Sequence, residues 1–258
     1  MRLEPGDVVV VPHGDPYVLS SAVGMRNWSP DEEMLEWFRR AMRGEQRAVV
    51  HEGGTGPREL QVLCGFLGCD RRPFNPLLVA LPRMLRIRPV DEAGERLGQL
   101  VRLAAAEARR SGVGSDCVLL RLGELMFVEM LRVQLAGPGG GDVGLLAGLR
   151  DPVVGDALVL LHAEPAHDWS LAELSRRVGR SRSALSDRFA ELVGHAPMQY
   201  LARWRMQLAA KRLAEGGAKV SAIASEVGYE SEAAFCRAFK KLVGTAPAAW
   251  RRRHGRAS

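Results

Sequence analysis

The apolar positions change their period twice along the chain. Over residues 1–90 they come as short β-branched or mixed runs, at 7–11, 47–51 and 60–67, parted by the turn-forming stretches PHGDP and GGTG. Such runs predict short strands. One helical spacing interrupts them, where Met34, Leu35, Trp37 and Phe38 follow Pro30 and predict a helix over 30–43. About four or five strands are too few to close a barrel of roughly eight.

From Glu92 the spacing turns helical. Leu97, Leu100, Val101 and Leu103 predict a helix ending near Gly112, and Val118, Leu119, Leu122, Leu125, Met126, Val128 and Leu131 predict a second ending near Ala136. The short SGVGSD turn between them makes an antiparallel hairpin. Its second helix is apolar on more than one face, so it is expected to bury surface against the β domain or a second subunit. AGPGGGD, at 136–142, reads as a linker.

Beyond the linker one pattern occurs twice. RVGRSRSALSDRFAELVGHAPMQY starts at Arg177 and EVGYESEAAFCRAFKKLVGTAPAAW at Glu226; Phe189 and Phe239, Gly194 and Gly244, Pro197 and Pro247 are each fifty residues apart. A repeat of this period says that one supersecondary unit was built twice. Leu171, Leu174 and Val178 share a face of a short helix, Gly179 breaks it, and Leu185, Phe189 and Leu192 line the next. Ser181 is placed to cap that second helix and Gly194 to end it. Pro197 suits the first turn of a long helix over about 197–215. The second copy repeats each device with Ile223, Val227, Gly228, Ser231, Phe235, Phe239, Gly244 and Pro247.

Charge sharpens this picture. The chain of 258 residues carries net +6, but from residue 168 to 258 there are 17 Lys and Arg against 8 Asp and Glu, while the rest is net −3. A basic excess confined to the repeat points to a polyanionic partner. The four cysteines, Cys64, Cys69, Cys117 and Cys236, form no CxxC pair and no metal-ligand spacing, and read as reduced core thiols. No apolar run reaches the eighteen or so residues of a membrane span, and MRLEPGDVVVVP lacks a signal peptide's apolar core. A cytoplasmic protein with no membrane partner is expected.

A helix exposing a polar row can enter the DNA major groove, where base edges display distinguishable donors and acceptors. In the first copy that row holds Arg180, Ser183, Ser186 and Asp187, and in the second Glu232, Ala233, Cys236 and Arg237. Arg180, Arg182, Arg188, Lys240 and Lys241 flank the rows and suit phosphates, as do the helix amides near Ser181 and Ser231.

The pattern GYxxxxxFxRxFKxxxGxxPxxWR, filled by Gly228, Tyr229, Phe235, Arg237, Phe239, Lys240, Gly244, Pro247, Trp250 and Arg251, resembles the signature of AraC/XylS-type transcription regulators. The resemblance covers about 145–253. It implies two helix-turn-helix units, at about 171–193 and 221–243, joined by the 197–215 helix. Some nineteen residues at about 1.5 Å each span near 28 Å, comparable to the roughly 34 Å repeat of DNA. Base contact would fall on Ser183, Ser186 and Asp187 in the first unit and on Glu232, Ala233, Cys236 and Arg237 in the second.

The first half is similar to a cupin-type sensor domain, on GDVVVVPHGDPYVL and LCGFLGCDRRPFNPLLVALPRML. Gly6, Pro12 and Gly14 match the second cupin motif, but Tyr17 stands where that motif places a metal-binding His. His13, His51 and Glu52 are weak substitutes as ligands. The first motif would precede Gly6 by a few dozen residues, so either the sensor is a degenerate, metal-free barrel or its true start lies upstream of Met1; the second is the expectation.

The expected fold is therefore α+β: a partial cupin-like sensor over 1–90, a helical hairpin over 91–136, a linker over 137–143, and an all-α DNA-binding domain over 144–258. The expected function is a sequence-specific DNA-binding regulator, an activator by the habit of the family it resembles, with no catalytic residue, metal or cofactor. Its expected partners are double-stranded DNA, a small-molecule effector, RNA polymerase and a second copy of the chain. A cupin-like enzyme with an appended DNA-binding module and a structural DNA-bending protein are the alternatives.

Overall fold

The structure, a computed structural model, describes residues 1–20, 32, 35–36, 39–40, 49–53, 60–65, 72–88, 92–110, 112–137 and 144–255. These form two compact units: Met1–Cys69 with Pro82–Pro138, and Asp70–Leu81 with Gly139–Ser258. No helix among the described residues is long and apolar enough to cross a membrane.

In the first unit β1 (Val8–Val10) pairs antiparallel with β4 (Leu85–Ile87), Val8 facing Ile87 and Val10 facing Leu85. β2 (Val49–Gly53) pairs antiparallel with β3 (Leu60–Cys64), Val49 facing Cys64. The sequence reading missed β4, because three residues of alternation are shorter than the window in which a strand stands out. The alternation is nevertheless real: Leu85 and Ile87 are buried, while Arg86 between them pairs with Asp7 at 2.8 Å. Most of the helix read at 30–43, and Cys69, lie outside the described residues.

The hairpin is built from α2 (Glu92–Arg110) and α3 (Ser115–Ala136). Leu97 and Ala104 on α2, with Leu122 and Met130 on α3, are its buried members. Ser115 ties the turn, its Oγ accepting from Gly112 N–H at 2.9 Å and donating to Glu107 at 2.6 Å. Buried Glu129 is held by Arg132 at 2.6 Å and Arg96 at 3.3 Å, which outweigh the burial that would raise its carboxyl and leave it below the usual range. The second apolar face of α3 is left open: Val118, Leu120, Leu125 and Val128 are exposed, and so is Leu103 on α2.

The second unit contains α1 (Pro76–Ala80), α4 (Leu145–Arg150), α5 (Pro152–Ala163), α6 (Leu171–Arg177), α7 (Arg182–Val193), α8 (Pro197–Glu215), α9 (Val220–Glu226), α10 (Glu232–Val243) and α11 (Pro247–His254). Two apolar cores fill it. One gathers Leu158, Leu161, Leu174, Leu185, Phe189 and Tyr200 around α5 to α8; the other gathers Met206, Leu213, Ile223, Phe235, Phe239 and Trp250 around α8 to α11. Each head of the repeat thus owns a core, and α8 contributes to both.

Residues 72–81, read from the sequence as part of the sensor half, pack with the first of these cores. Phe74 donates its N–H to Gln207 Oε1 at 2.9 Å, its ring meets Tyr200 edge-on at 6.0 Å, and Arg203 lies over its face at 5.6 Å. Asn75 caps α1 by accepting from Leu78 N–H at 3.1 Å, and Leu78 is buried. The apolar run PLLVA reads equally well as a strand, so only the partner settles which element it joins.

Candidate nucleic-acid interface

The two heads are assembled by the same local chemistry. After α6, Gly179 takes φ +65° and donates to Arg176 O at 3.2 Å while Arg180 N–H reaches Ser175 O at 2.9 Å. After α9, Gly228 takes φ +81° and donates to Ser225 O at 3.0 Å while Tyr229 N–H reaches Ala224 O at 2.9 Å. In both, the chain turns through a left-handed residue that costs little only for Gly. Ser181 then caps α7 by accepting from Ala184 N–H at 3.3 Å, and Ser231 caps α10 by accepting from Ala234 N–H at 3.2 Å.

The buried stripes orient what remains. Leu185, Phe189 and Leu192 turn one face of α7 inward, and Phe235 and Phe239 do the same for α10. Arg180, Arg182, Ser183 and Asp187 are exposed on the first head, with Ser186 half-buried. On the second, Glu232, Ala233, Arg237, Lys240 and Lys241 are exposed and Cys236 is half-buried. Burial first, and Glu232 second, push the Cys236 thiol up, which keeps it neutral. The residues singled out on each helix therefore stand together on one accessible face.

Arg188, expected at phosphates, is also engaged within the protein. Its Nε donates to Asp151 at 2.9 Å and a terminal nitrogen donates to Glu191 at 2.9 Å. Asp151 also caps α5, accepting from Val153 and Val154 N–H at 3.0 Å each. Burial alone would raise the Asp151 carboxyl, but the amides and Arg188 hold it below the usual range. Arg188 thus ties α7 to α5, and a phosphate would have to compete with two carboxylates for it.

Arg205 on α8 escaped the sequence reading. Its guanidinium donates to three backbone carbonyls: Pro165 at 2.7 Å, His167 at 2.8 Å and Gly228 at 3.2 Å. A signal was present, since Arg205 stands between Leu201 and Ala209 in an i, i+4 row whose other members are buried. Burial pulls its pKa down, partly offset by Tyr229 and Asp168.

In the sensor half, burial first, and Cys64 second, push the Tyr17 hydroxyl up. Among the described residues no three His, Cys, Asp or Glu gather as ligands would.

Comparison with known proteins matches two families along the chain. The family described as Cupin matches residues 1–136, and the family described as Helix-turn-helix domain matches residues 174–253. A putative AraC-like transcription regulator of Streptomyces lividans is 38% identical over 83% of this chain and 69% of its own length. A second, from Streptomyces antibioticus, is 39% identical over 68% of this chain, and the chain spans 58% of that relative. An uncharacterised HTH-type transcriptional regulator of Haemophilus influenzae is 27% identical over 97% of this chain and 79% of its own length.

Proposed function

Since the chain belongs to the AraC-like transcription regulators, with a cupin domain ahead of its helix-turn-helix half, we propose that it is a sequence-specific DNA-binding regulator of transcription. The observation that carries this reading is the doubled head: two helices, α7 and α10, capped and terminated alike, each with its polar row exposed. Joined by the 19 residues of α8, about 28 Å long, they are spaced for successive major grooves of one duplex.

In this reading Ser183, Ser186 and Asp187 on α7, and Glu232, Ala233, Cys236 and Arg237 on α10, face the bases. Arg180, Arg182, Lys240, Lys241 and the amides following Ser181 and Ser231 meet phosphates. Arg237 is the strongest base reader of the set, since a guanidinium can grip guanine by two bonds, whereas Ser and Ala discriminate little. The cupin half binds a small-molecule effector without a metal and performs no catalysis. The exposed apolar side chains of α3 support a homodimer. Action in the cytoplasm as an activator touching RNA polymerase completes the proposal.

Gel-shift titration of the full chain, at stated salt, against its own upstream DNA and random duplex tests it. Preference of about a thousandfold or more for the upstream site is expected. Arg237→Ala weakens that binding by about 1–3 kcal/mol, while Glu232→Ala mainly changes sequence preference. Equal binding of both duplexes would favour the DNA-bending alternative over a sequence-specific regulator.

A further inference from the structure

Neither the repeated motif nor the DNA-facing rows use Arg205, yet it touches both heads. Pro165 and His167, whose carbonyls accept from Nε at 2.7 Å and from a terminal nitrogen at 2.8 Å, belong to the loop leading from α5 into α6. Gly228, which accepts at 3.2 Å, is the turn between α9 and α10. One planar fork on the connecting helix therefore holds the base of the first head and the turn of the second. Its guanidinium also lies 5.8 Å from the Tyr229 ring centre.

The seam is closed on both sides. A Cβ on Gly228 would fall 2.5 Å from the Ala166 carbonyl oxygen and 2.8 Å from an Arg205 nitrogen, so the two heads meet there without room for a methyl group. The covalent path from α8 into the second head runs through two left-handed glycines. Gly216 and Gly217 follow one another at φ +80° and +81°, and a side chain on either would meet nothing within 4 Å. The second head is also seated on α8 by its own core and by Arg212, whose Nε donates to Glu226 at 2.9 Å, so what Arg205 adds is the tie between that head and the loop of the first.

We propose that Arg205 is a positioning residue for DNA recognition: it locks α7 and α10 at one separation and phase, so that the protein accepts only one spacing of its two half-sites. The proposal rests on the reading of both heads as base readers. Its physical basis is the pitch of DNA, where each added base pair moves the second groove by about 3.4 Å and turns it by about 34°. A rigid pair of heads cannot follow such a change, but a pair released at the Arg205 seam follows it more readily.

The experiment uses duplexes that the wild-type full chain recovers from a random-sequence library, and the same duplexes with one or two base pairs added between the half-sites. One added base pair is expected to weaken wild-type binding about tenfold, comparable to a mismatched position. Arg205→Ala binds the original site more weakly, but its penalty for the added pair falls below about threefold. Arg205→Lys keeps the charge but cannot span three carbonyls, so it relaxes spacing in the same direction; it also carries the test if the alanine variant does not fold. Near-ultraviolet circular dichroism confirms folding at the binding temperature. A folded variant with the wild-type spacing penalty, or a recovered site with a single half-site, overturns the proposal. Recovery of no preferred sequence at all would instead overturn the DNA-regulator reading itself, and the positioning role with it.

Discussion

At positions fifty residues apart, Asp187 of α7 stands where α10 has Arg237, and Glu191 stands where α10 has Lys241. The first recognition helix is electrically neutral over Arg182–Val193, whereas the second carries net +2 over Glu232–Val243. The inner sides differ as well. The first head is anchored by Arg188 to Asp151, by Trp169 Nε1 to Glu164 O at 2.9 Å, and by Phe74 against Tyr200. The second relies on an aromatic chain, Tyr229, Phe235, Phe239 and Trp250, with ring centres 5.5–6.1 Å apart. Duplication preserved the turn, the cap and the buried ring, which the backbone demands, and let the charges diverge. On α7 Arg188 is tied to the protein's own carboxylates, whereas Arg237, Lys240 and Lys241 of α10 are exposed.

The turn glycines offer the largest test of this contrast. Gly179 and Gly228 share a left-handed φ, but a Cβ meets nothing within 4 Å at Gly179 and strikes backbone at Gly228. Gly179→Ala should cost about 1–2 kcal/mol in chemical denaturation, from backbone alone. Gly228→Ala should cost about 2–5 kcal/mol, because overpacking adds to the same strain. Equal costs would mean that the second turn is not held by its surroundings.

Salt dependence separates the outer surfaces. Replacing Lys240 and Lys241 together by Ala should lower the slope of log affinity against log salt by about 2, and Arg182→Ala by about 1. Arg188→Ala should lower it by less than Arg182→Ala and instead lower the melting temperature, since its partner Asp151 is itself largely buried. A slope change from Arg188 as large as from Lys240 would erase the asymmetry.

A smaller effect lies in the leading helices. Ser170 caps α6, accepting from Glu173 N–H at 3.1 Å, but Lys219 at the same position of α9 makes no side-chain cap. Ser170→Ala should cost about 1 kcal/mol and Lys219→Ser should add a comparable amount, read by thermal unfolding.

The smallest difference is in pH. Burial pulls the pKa of His162 down, and the ring accepts or donates a 2.7 Å bond with Tyr200 OH in the first core. Burial, then Arg203, does the same to His195. Below about 6.5 the unfolded chain takes up protons that the folded first head refuses, so stability falls as pH drops from 7 toward 5. His162→Gln should flatten part of that decline in a denaturation series.

Much of the DNA-binding half was legible because its signals are local. Gly179, Ser181, Gly194 and Pro197 each state a backbone requirement that needs no knowledge of the partner. Residues whose role is set by distant partners could not be read. Arg188 looks like any exposed arginine until Asp151, thirty-seven residues earlier, is brought beside it. The run PLLVA has no period long enough to name its element, and nothing near it says that Gln207 will accept the Phe74 N–H. Arg205 lay between these cases, a charge in an apolar row whose meaning required both loops.

The seat of Phe74 on α8 also imposes an order of events in synthesis. Phe74 and Gln207 are 133 residues apart. At roughly 5–20 residues per second the segment emerges about 7–27 s before the helix that receives it exists. During that interval its apolar side chains have no native seat. When α8 finally forms, the first core closes around a segment made long before.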